Sequence, residues 1–321
     1  MFSERKPSWR AMHMLVVLMV LLSAFGSAST GVQAAVSGNP GLAVDLEPDA
    51  ATTWHNIAVQ ALVAANPPRP TPIVFLDIAV VQAAVHDAVQ AIDRRYEPYH
   101  VKLLRGASGS KDAAAAKAAH DVLVNILPGQ AASLDTTYHE YFAANGLSEY
   151  DPGVSAGALA AAGMIALRGN DGRVPDPLPA PFTGGTAIGQ WRPTPSLLPG
   201  APPSLAAMAS PWLGSVPPFT LKSGDQFRAD PPPAVNSRQY VKDYNEVKAL
   251  GALNGSSRTP EQTQLAIFYA TNFFVTYSQT LRDVASARTD NIGDNARLLA
   301  LGTLAIADTF IVVWDTKGHS V

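Results

Sequence analysis

The stretch of residues 73–92 constrains the fold more than any other, because most of its helical circumference is apolar. At helical spacing one face carries six apolar residues and three valines widen it: Ile73, Leu76, Val80, Ala84, Ala88 and Ile92, with Val81, Val85 and Val89. A stripe of this breadth is typical of a helix that is buried on nearly all sides. We therefore expect a central helix around which other elements pack.

Helical periodicity extends over most of the chain. Apolar residues recur at intervals of three and four rather than two, and alanine is frequent throughout. This pattern predicts helices joined mostly by short connections, and no β-strand of useful length. The predicted helical ranges are 53–65, 72–95, 110–126, 130–144, 151–167, 236–250, 259–287 and 294–316. The sequence therefore predicts an all-α fold built as a helical bundle.

One long segment, residues 171–235, departs from the helical pattern. It holds 15 of the 26 prolines, and it also carries several aromatic residues: Phe182, Trp191, Trp212, Phe219 and Phe227. Disordered segments seldom carry so many aromatic side chains, and long structureless loops are uncommon in compact proteins. We therefore predict an ordered, irregular loop that wraps around the helices. A flexible linker is the alternative.

The first 34 residues have the pattern of a secretory signal peptide. A basic start precedes the apolar run 14–25, and Val32-Gln33-Ala34 fits a cleavage site. We predict a secreted protein, periplasmic or extracellular, with no membrane span after cleavage; an uncleaved anchor is the alternative. The chain has no cysteine, which excludes a disulfide framework and thiolate catalysis. Its formal net charge of −3 gives no indication of nucleic-acid binding.

Three histidines directly precede a carboxylate, at His86, His120 and His139. Adjacent residues on a helix point about 100° apart, so such pairs cannot easily bind one metal ion. We therefore interpret these histidines as surface or satisfied core residues and predict no metal site from them.

Four aspartates lie on strongly apolar helices. Asp77 and Asp87 fall on the central helix, where a buried carboxylate needs a partner, so we predict that each caps a neighbouring helix or pairs with an arginine. Asp308 and Asp315 are seven residues apart and share one face of the last helix. A paired-carboxylate acid–base function is a hypothesis for these two.

The last predicted helix carries a lysine at the end of an apolar stripe, beside a tryptophan. The stripe consists of Ile306, Phe310, Val313 and Lys317, with Trp314 at its edge. One interpretation is a lysine that interacts with the helix dipole while its stem covers apolar side chains. The other is an anion ligand, with Trp314 as a candidate residue lining the same pocket.

Five segments of the sequence carry a family resemblance: Val85-His86-Asp87-Ala88-Val89-Gln90-Ala91-Ile92, Tyr96-Glu97-Pro98-Tyr99, Gly189-Gln190-Trp191-Arg192-Pro193, residues 217–269, and Trp314-Asp315-Thr316-Lys317-Gly318-His319. Together they resemble the secreted vanadium-dependent haloperoxidase-like proteins of the type 2 phosphatidic acid phosphatase (PAP2) superfamily. The resemblance covers most of residues 35–321. It implies that the fold is the first part of a double helical bundle of the PAP2/haloperoxidase type.

The resemblance also implies an oxyanion site made of three pieces. The first is a lysine followed seven residues later by Arg-Pro, the second contains Ser-Gly-His, and the third contains Ser-Arg and then Gly-x-His. Only Lys317 matches, as a vanadate or phosphate ligand, and no catalytic residue of the family is found among the 321 residues. Four similar dipeptides lack the rest of their motif: Arg69-Pro70, Arg192-Pro193, Ser237-Arg238 and Ser257-Arg258.

The resemblance implies vanadate as the cofactor of the complete enzyme, and halide and hydrogen peroxide as its small-molecule substrates. We expect this chain to be the N-terminal portion of such an enzyme, inactive and without bound vanadate. A secreted PAP2-type acid phosphatase that acts on phosphate esters, and a non-catalytic helical remnant or scaffold, are the alternatives.

The expected organisation has four parts. They are a signal peptide (1–34), an N-terminal helical bundle (35–170), the Pro/Gly-rich loop (171–235), and helices that lead into a truncated vanadate or phosphate site (236–321). We also expect the stripe of Ile306, Phe310 and Val313 to lack its packing partner. Exposed apolar surface there predicts incomplete folding and self-association.

Overall fold

The computed structural model describes residues 48–102, 107–196, 204–206 and 208–320. Within these ranges the secondary structure is almost entirely helical, which confirms the predicted all-α fold. The predicted signal peptide lies outside the described residues. The α-helices are α1 (Ala50–Val63), α2 (Thr71–Asp93), α3 (Lys111–Ile126), α4 (Ala131–Ala144), α5 (Pro152–Arg168), α6 (Arg238–Gly251), α7 (Pro260–Tyr269), α8 (Phe273–Arg288) and α9 (Ile292–His319).

Helix α2 forms the centre of the core, as its broad apolar stripe predicts. Every residue from Pro72 to Gln90 is buried, and α2 packs against α1, α3, α5, α8 and α9. Both α2 and α9 are long and apolar enough to cross a membrane. The apolar part of α2 is entirely enclosed by protein, as in the core helix of a globular fold.

Small residues allow α3 and α5 to approach closely. The alanines on the inner face of α3 are fully buried, and Gly157 of α5 lies against them. A Cβ atom at Gly157 would lie 2.4 Å from the carbonyl oxygen of Ala114, closer than atoms can pack. The abundance of alanine and glycine therefore sets the spacing of this helix pair.

The predicted helix 259–287 is in fact two helices. Helix α7 begins as predicted: the Thr259 hydroxyl accepts from the backbone N–H of Gln262 at 3.1 Å, and the Gln262 side chain accepts from that of Thr259 at 2.9 Å. Asn272 then caps α8 by accepting from the backbone N–H of Val275. The prediction of one continuous helix was wrong because this side chain offers the backbone an alternative hydrogen bond.

Between α5 and α6, residues 169–237 form the wrapping segment, whose described parts lie along the helices. A short antiparallel hairpin pairs β1 (Thr194–Ser196) with β2 (Ser204–Ala206), with Thr194 opposite Ala206. Further along, Arg168 donates to the carbonyl oxygens of Pro217 and Pro218, and its guanidinium lies 3.7 Å from the centroid of the Phe219 ring. These contacts join the end of α5 to the described residues 217–219 of the segment.

The apolar stripe of α9 is buried, contrary to expectation. Phe310 and Val313 are only 3% and 8% exposed, and Phe310 stacks on Phe75 of α2 at a centroid distance of 4.6 Å. Helix α2 therefore supplies the packing partner that was expected to be missing. The prediction of an exposed stripe was wrong because helix periodicity shows which face is apolar but not what covers it.

Burial of His55 makes the stability of the fold depend on pH. Its ring is fully buried in α1, and burial, with a smaller effect from the nearby Arg282, lowers its pKa to about 3. The unfolded chain takes up a proton at this residue below about pH 6.5, whereas the folded chain does so only near its depressed pKa. Stability conferred by the neutral ring is therefore present above that range and lost as the pH falls.

We expect the free energy of unfolding to fall by about 2 kcal/mol between about pH 7 and pH 5 through His55 alone. Urea unfolding at both pH values measures this change. The variant His55→Gln should lose most of this pH dependence, while His139→Gln, at an exposed histidine, should retain it. An identical pH dependence in the wild type and His55→Gln would contradict the assignment.

Candidate functional site

The C-terminal end of α9 brings together the two predicted site residues, Trp314 and Lys317. Asn291 caps the start of this long helix by accepting from the backbone N–H groups of Gly293 and Asp294. The helix continues to His319, so Lys317 lies in its last turn. Residues three apart on a helix are neighbours, which places the two side chains side by side.

Trp314 is held rigidly. Its side chain is 4% exposed, and its indole N–H donates to the carbonyl oxygen of Ala209 in the wrapping segment at 2.7 Å. Its ring also lies 5.7 Å from that of Phe310, which is itself stacked on Phe75. The indole is therefore fixed by α9, α2 and the wrapping segment together.

Lys317 lies over the face of this indole, with its Nζ atom 4.2 Å from the ring centroid. Such a cation–π contact is favourable, and more so when the cation is partly desolvated. The residue is half-buried, and burial lowers the pKa of its ammonium group. Among the described residues no carboxylate lies within ion-pairing distance of Nζ. The ammonium group can therefore accept an anionic partner.

The backbone of the wrapping segment approaches the same end of α9 very closely. A Cβ atom at Gly214 would lie 2.6 Å from the backbone nitrogen of Asp315. Any other residue at this position would push the segment away from the helix. Since Ala209 is on the same stretch of chain, this contact also helps to position the acceptor for Trp314.

The two aspartates on the opposite face of α9 anchor the wrapping segment. Asp308, which is 3% exposed, accepts from the backbone N–H groups of Phe219 and Thr220 at 2.6 and 2.8 Å and from the Thr220 hydroxyl. Asp315 forms a two-point ion pair with Arg228, at 2.7 and 2.9 Å. Both carboxylates of the hypothesised acid–base pair are thus engaged in holding the chain.

The aspartates of α2 also have structural partners. Asp77 is fully buried and pairs with Arg69 and with Arg173, whose Nε lies 2.9 Å from a carboxylate oxygen. The predicted pairing with arginine is therefore confirmed for Asp77. Asp87 accepts from three consecutive backbone N–H groups of the loop after α2, at Tyr99, His100 and Val101. Asp87 therefore stabilises this loop. The prediction that it caps a neighbouring helix or pairs with an arginine was wrong, because its partners are backbone N–H groups of the loop.

The three histidines followed by carboxylates have separate surroundings. His120 is buried, with its two ring nitrogens 2.8 Å from Asp121 and Asp135, and His86 lies 3.0 Å from the carbonyl oxygen of Glu97. His139 is exposed and contacts Glu149. In the described part of the chain, no group of three His, Cys, Asp or Glu side chains could hold a metal ion.

The Arg-Pro and Ser-Arg dipeptides that lack the family motif are occupied elsewhere. Arg69 pairs with Asp77, and Arg192 donates to the carbonyl oxygens of Thr186 and Ala187. The Ser237 hydroxyl caps α6. In the dipeptide Ser257-Arg258, the guanidinium group of Arg258 donates to backbone carbonyl groups at the end of α6. Arg69, Arg192 and Arg258 therefore each have another partner within the described part of the protein.

A vanadate ion presents several charged oxygens and needs several donors. Among the described residues the candidate site supplies one ammonium group, that of Lys317, which lies over the ring of Trp314. This donor is of the right kind for an oxyanion, but it cannot complete a vanadate site alone.

Sequence reasoning found Lys317 and Trp314 but missed the groups that position them. The carbonyl oxygen of Ala209 and the close approach of Gly214 lie about a hundred residues away along the chain. A backbone carbonyl carries no side-chain signal, so nothing in the local sequence indicates it.

Sequence comparison identifies no relative: no family model matches the chain, and no curated protein matches it significantly. The solved structures that are similar to this chain include two bacterial enzymes. A bacterial vanadium-dependent iodoperoxidase aligns over 87% of this chain and 71% of its own, with a TM-score of 0.69 and 18% identity. An apo-type bacterial vanadium-dependent chloroperoxidase aligns over 89% of this chain, with a TM-score of 0.54 and 19% identity.

The chain spans 65% of the length of that chloroperoxidase, less than two thirds. At such low identity the alignments compare the course of the helices rather than individual side chains. The alignments nevertheless cover 87% and 89% of this chain. The chain therefore has a vanadium haloperoxidase-like fold.

Proposed function

We propose that this chain is part of a secreted vanadium-dependent haloperoxidase-like protein, in which Lys317 is the first ligand of the oxyanion site. The observation that carries the proposal is the geometry of Lys317, a half-buried ammonium group on a fixed indole, with no carboxylate partner among the described residues. The fold supports the proposal, because the two similar structures are vanadium-dependent enzymes.

In this proposal Lys317 donates hydrogen bonds to the oxygens of the bound oxyanion and neutralises part of their charge. Trp314 excludes water from one side of the ammonium group, which strengthens its interaction with an anion. Vanadate, when bound, supplies the centre that takes up peroxide for the oxidation of halide. Halide and hydrogen peroxide are accordingly the proposed small-molecule substrates.

We expect the 321-residue chain by itself to show no haloperoxidase turnover, because it provides one of the family's ligands. The assay combines the purified chain with vanadate, hydrogen peroxide and iodide or bromide, and follows halogenation of an organic acceptor. Turnover under these conditions would show that the chain contains a complete site and would contradict the one-ligand assignment.

The DNA sequence that follows the codon for Val321 provides the sharpest test of the family motif. If the reading frame continues past Val321, Arg-Pro should begin seven residues after Lys317, followed by Ser-Gly-His and Gly-x-His. A continuation without these motifs, or a stop codon, would favour the non-catalytic scaffold. In a longer protein with the motifs, release of phosphate from an ester without halogenation would favour the phosphatase.

The next prediction concerns a longer protein that carries the remaining motifs and binds vanadate. In that protein we expect Lys317→Met to weaken vanadate binding by about 10- to 100-fold, the range expected for a charge-assisted hydrogen bond. Isothermal titration calorimetry or ⁵¹V NMR measures the affinity. The matched control is Lys248→Met on the exposed helix α6, which should leave vanadate affinity unchanged. Equal affinities for the wild type and Lys317→Met would contradict the proposed role.

Secretion is proposed from the sequence of residues 1–34. N-terminal sequencing of the exported protein tests it, and a mature chain that begins at Ala35 is the expected result. Retention of the uncleaved N-terminus in the membrane fraction would contradict cleavage.

A further inference from the structure

The chain contains two Asn-Gly dipeptides, and the fold gives them different surroundings. Asn145-Gly146 directly follows helix α4, and Asn254-Gly255 lies in the connection between α6 and α7. All four residues are exposed to solvent, and the two glycines have nearly the same φ, 62° and 67°. The dipeptides are therefore matched in sequence, in exposure and in the conformation of the glycine.

An asparagine that precedes glycine readily loses its side-chain nitrogen, because glycine has no side chain to hinder the reaction. The backbone nitrogen of the glycine attacks Cγ of the asparagine after it has given up its proton. A bond from this nitrogen to Cγ forms, the bond from Cγ to Nδ2 breaks, and Nδ2 leaves with a proton as ammonia. Water then opens the resulting succinimide ring at either carbonyl group, which restores the N–H group and gives aspartate or isoaspartate.

Hydrogen bonds at the end of α4 hinder this reaction at Asn145. The side-chain amide of Asn145 donates to the carbonyl oxygen of Tyr141 at 2.8 Å, which holds the carboxamide against the helix. The backbone N–H of Gly146 donates to the carbonyl oxygen of Ala143 at 3.3 Å. The attacking nitrogen and the group that it would attack are therefore both engaged in the end of the helix.

Asn254 and Gly255 are not restrained in this way. Within the described ranges, neither the side chain of Asn254 nor the backbone N–H of Gly255 forms a hydrogen bond. The bonds that hold this connection start at the next residue, where the Ser256 hydroxyl donates to the carbonyl oxygen of Leu250 at 3.2 Å and accepts from the backbone N–H of Arg258 at 3.1 Å. The nitrogen of Gly255 can therefore approach Cγ of Asn254 without breaking a bond of the fold.

We propose that Asn254 is a site of spontaneous deamidation, at which the backbone nitrogen of Gly255 converts the asparagine to aspartate and isoaspartate. The product carries an additional negative charge at the connection between α6 and α7. Because the hydrogen bonds of Ser256 do not involve Asn254, both helices should persist in the product. The proposal is independent of the oxyanion site, which lies on α9.

The test is to incubate the purified chain in a mildly alkaline buffer, which favours loss of the proton from the backbone nitrogen. Peptide mass spectrometry follows the replacement of the side-chain NH₂ by OH at both asparagines, and chromatography separates aspartate from isoaspartate. We expect Asn254 to react faster than Asn145 by about tenfold or more, because the hydrogen bonds at Asn145 must open first. Asn145 is thus a control in the same molecule under the same conditions.

The same measurement in concentrated urea separates the effect of the fold from that of the flanking residues. Unfolding removes the hydrogen bonds at Asn145, so its rate should rise until the two asparagines react at similar rates. Isoelectric focusing of the folded chain should show acidic forms that Asn254→Gln suppresses and Asn145→Gln does not. Circular dichroism of the aged wild type should show unchanged helix content.

Three results would overturn the proposal. The first is equal rates for the two asparagines in the folded chain, including no reaction at either. The second is a difference in rate that persists in urea, which would assign it to the flanking residues rather than to the fold. The third is an Asn254 that reacts in urea but stays intact in the folded chain, which would mean that the fold protects it.

Discussion

Replacement of Asp77 with alanine should lower the free energy of unfolding by about 3–5 kcal/mol, the range for breaking a buried ion pair by removing one partner. Asp77 is fully buried in α2 and pairs with Arg69 and Arg173. Although burial opposes the charge on Arg173, Asp77 and Asp171 raise the pKa of its guanidinium group, so it stays charged. Without Asp77 this buried charge would lose one of its two carboxylate partners.

Urea unfolding followed by circular dichroism measures this loss. Asp176→Ala is the matched control. Asp176 lies three residues after Arg173 but is exposed, so its loss should have little effect on stability. Asp77→Asn keeps the volume of the side chain and removes its charge, so it should also be strongly destabilising. A loss below about 1 kcal/mol for Asp77→Ala would mean that the arginines find other partners, and it would contradict the proposed pairing.

Replacement of Asp308 with alanine should lower the free energy of unfolding by about 3–5 kcal/mol, because it leaves buried donors without an acceptor. The carboxylate accepts from two backbone N–H groups and a hydroxyl of the wrapping segment. Arg168 and Tyr99 hold the same turn from other sides, the latter through a 2.7 Å hydrogen bond to the carbonyl oxygen of Phe219. Loss of Asp308 should therefore loosen the segment without releasing it.

Asp315→Ala is the matched control for Asp308→Ala, since the two aspartates share a face of α9. Asp315 pairs with Arg228, and both side chains are partly exposed to solvent, so the loss of Asp315 should cost much less. Proteolysis gives an independent measurement: cleavage within residues 208–229 should accelerate in Asp308→Ala and change little in Asp315→Ala. Equal effects of the two substitutions would contradict the difference in their surroundings.

The helices were largely predictable because their signals are local. Thr259 and Gln262 form a capping box three residues apart, and the broad stripe of α2 shows that the helix must be buried. The break at Asn272 escaped prediction, because a capping asparagine and an ordinary helical asparagine look alike in sequence. The extent of apolar exposure on α6 and α7 also escaped, since periodicity describes a face and not its cover.

The candidate site was predictable only in part. Lys317 and Trp314 are three residues apart on one helix, so helical geometry alone places them together. Their surroundings were not predictable, because the acceptor for the Trp314 indole is a backbone carbonyl 105 residues away. The roles of Asp308 and Asp315 were equally hidden, since a shared helical face is compatible with catalysis and with anchoring.

The sequence by itself determined an all-helical protein around a buried α2, with a lysine and a tryptophan adjacent at the end of the last helix. Only the tertiary structure decided which carboxylates are structural and which apolar faces are covered. Helical periodicity arises from contacts between residues three or four positions apart. The pairing of Asp77 with Arg173 and of Asp308 with Phe219 joins residues 96 and 89 positions apart, and such pairs exist only once the whole chain has packed.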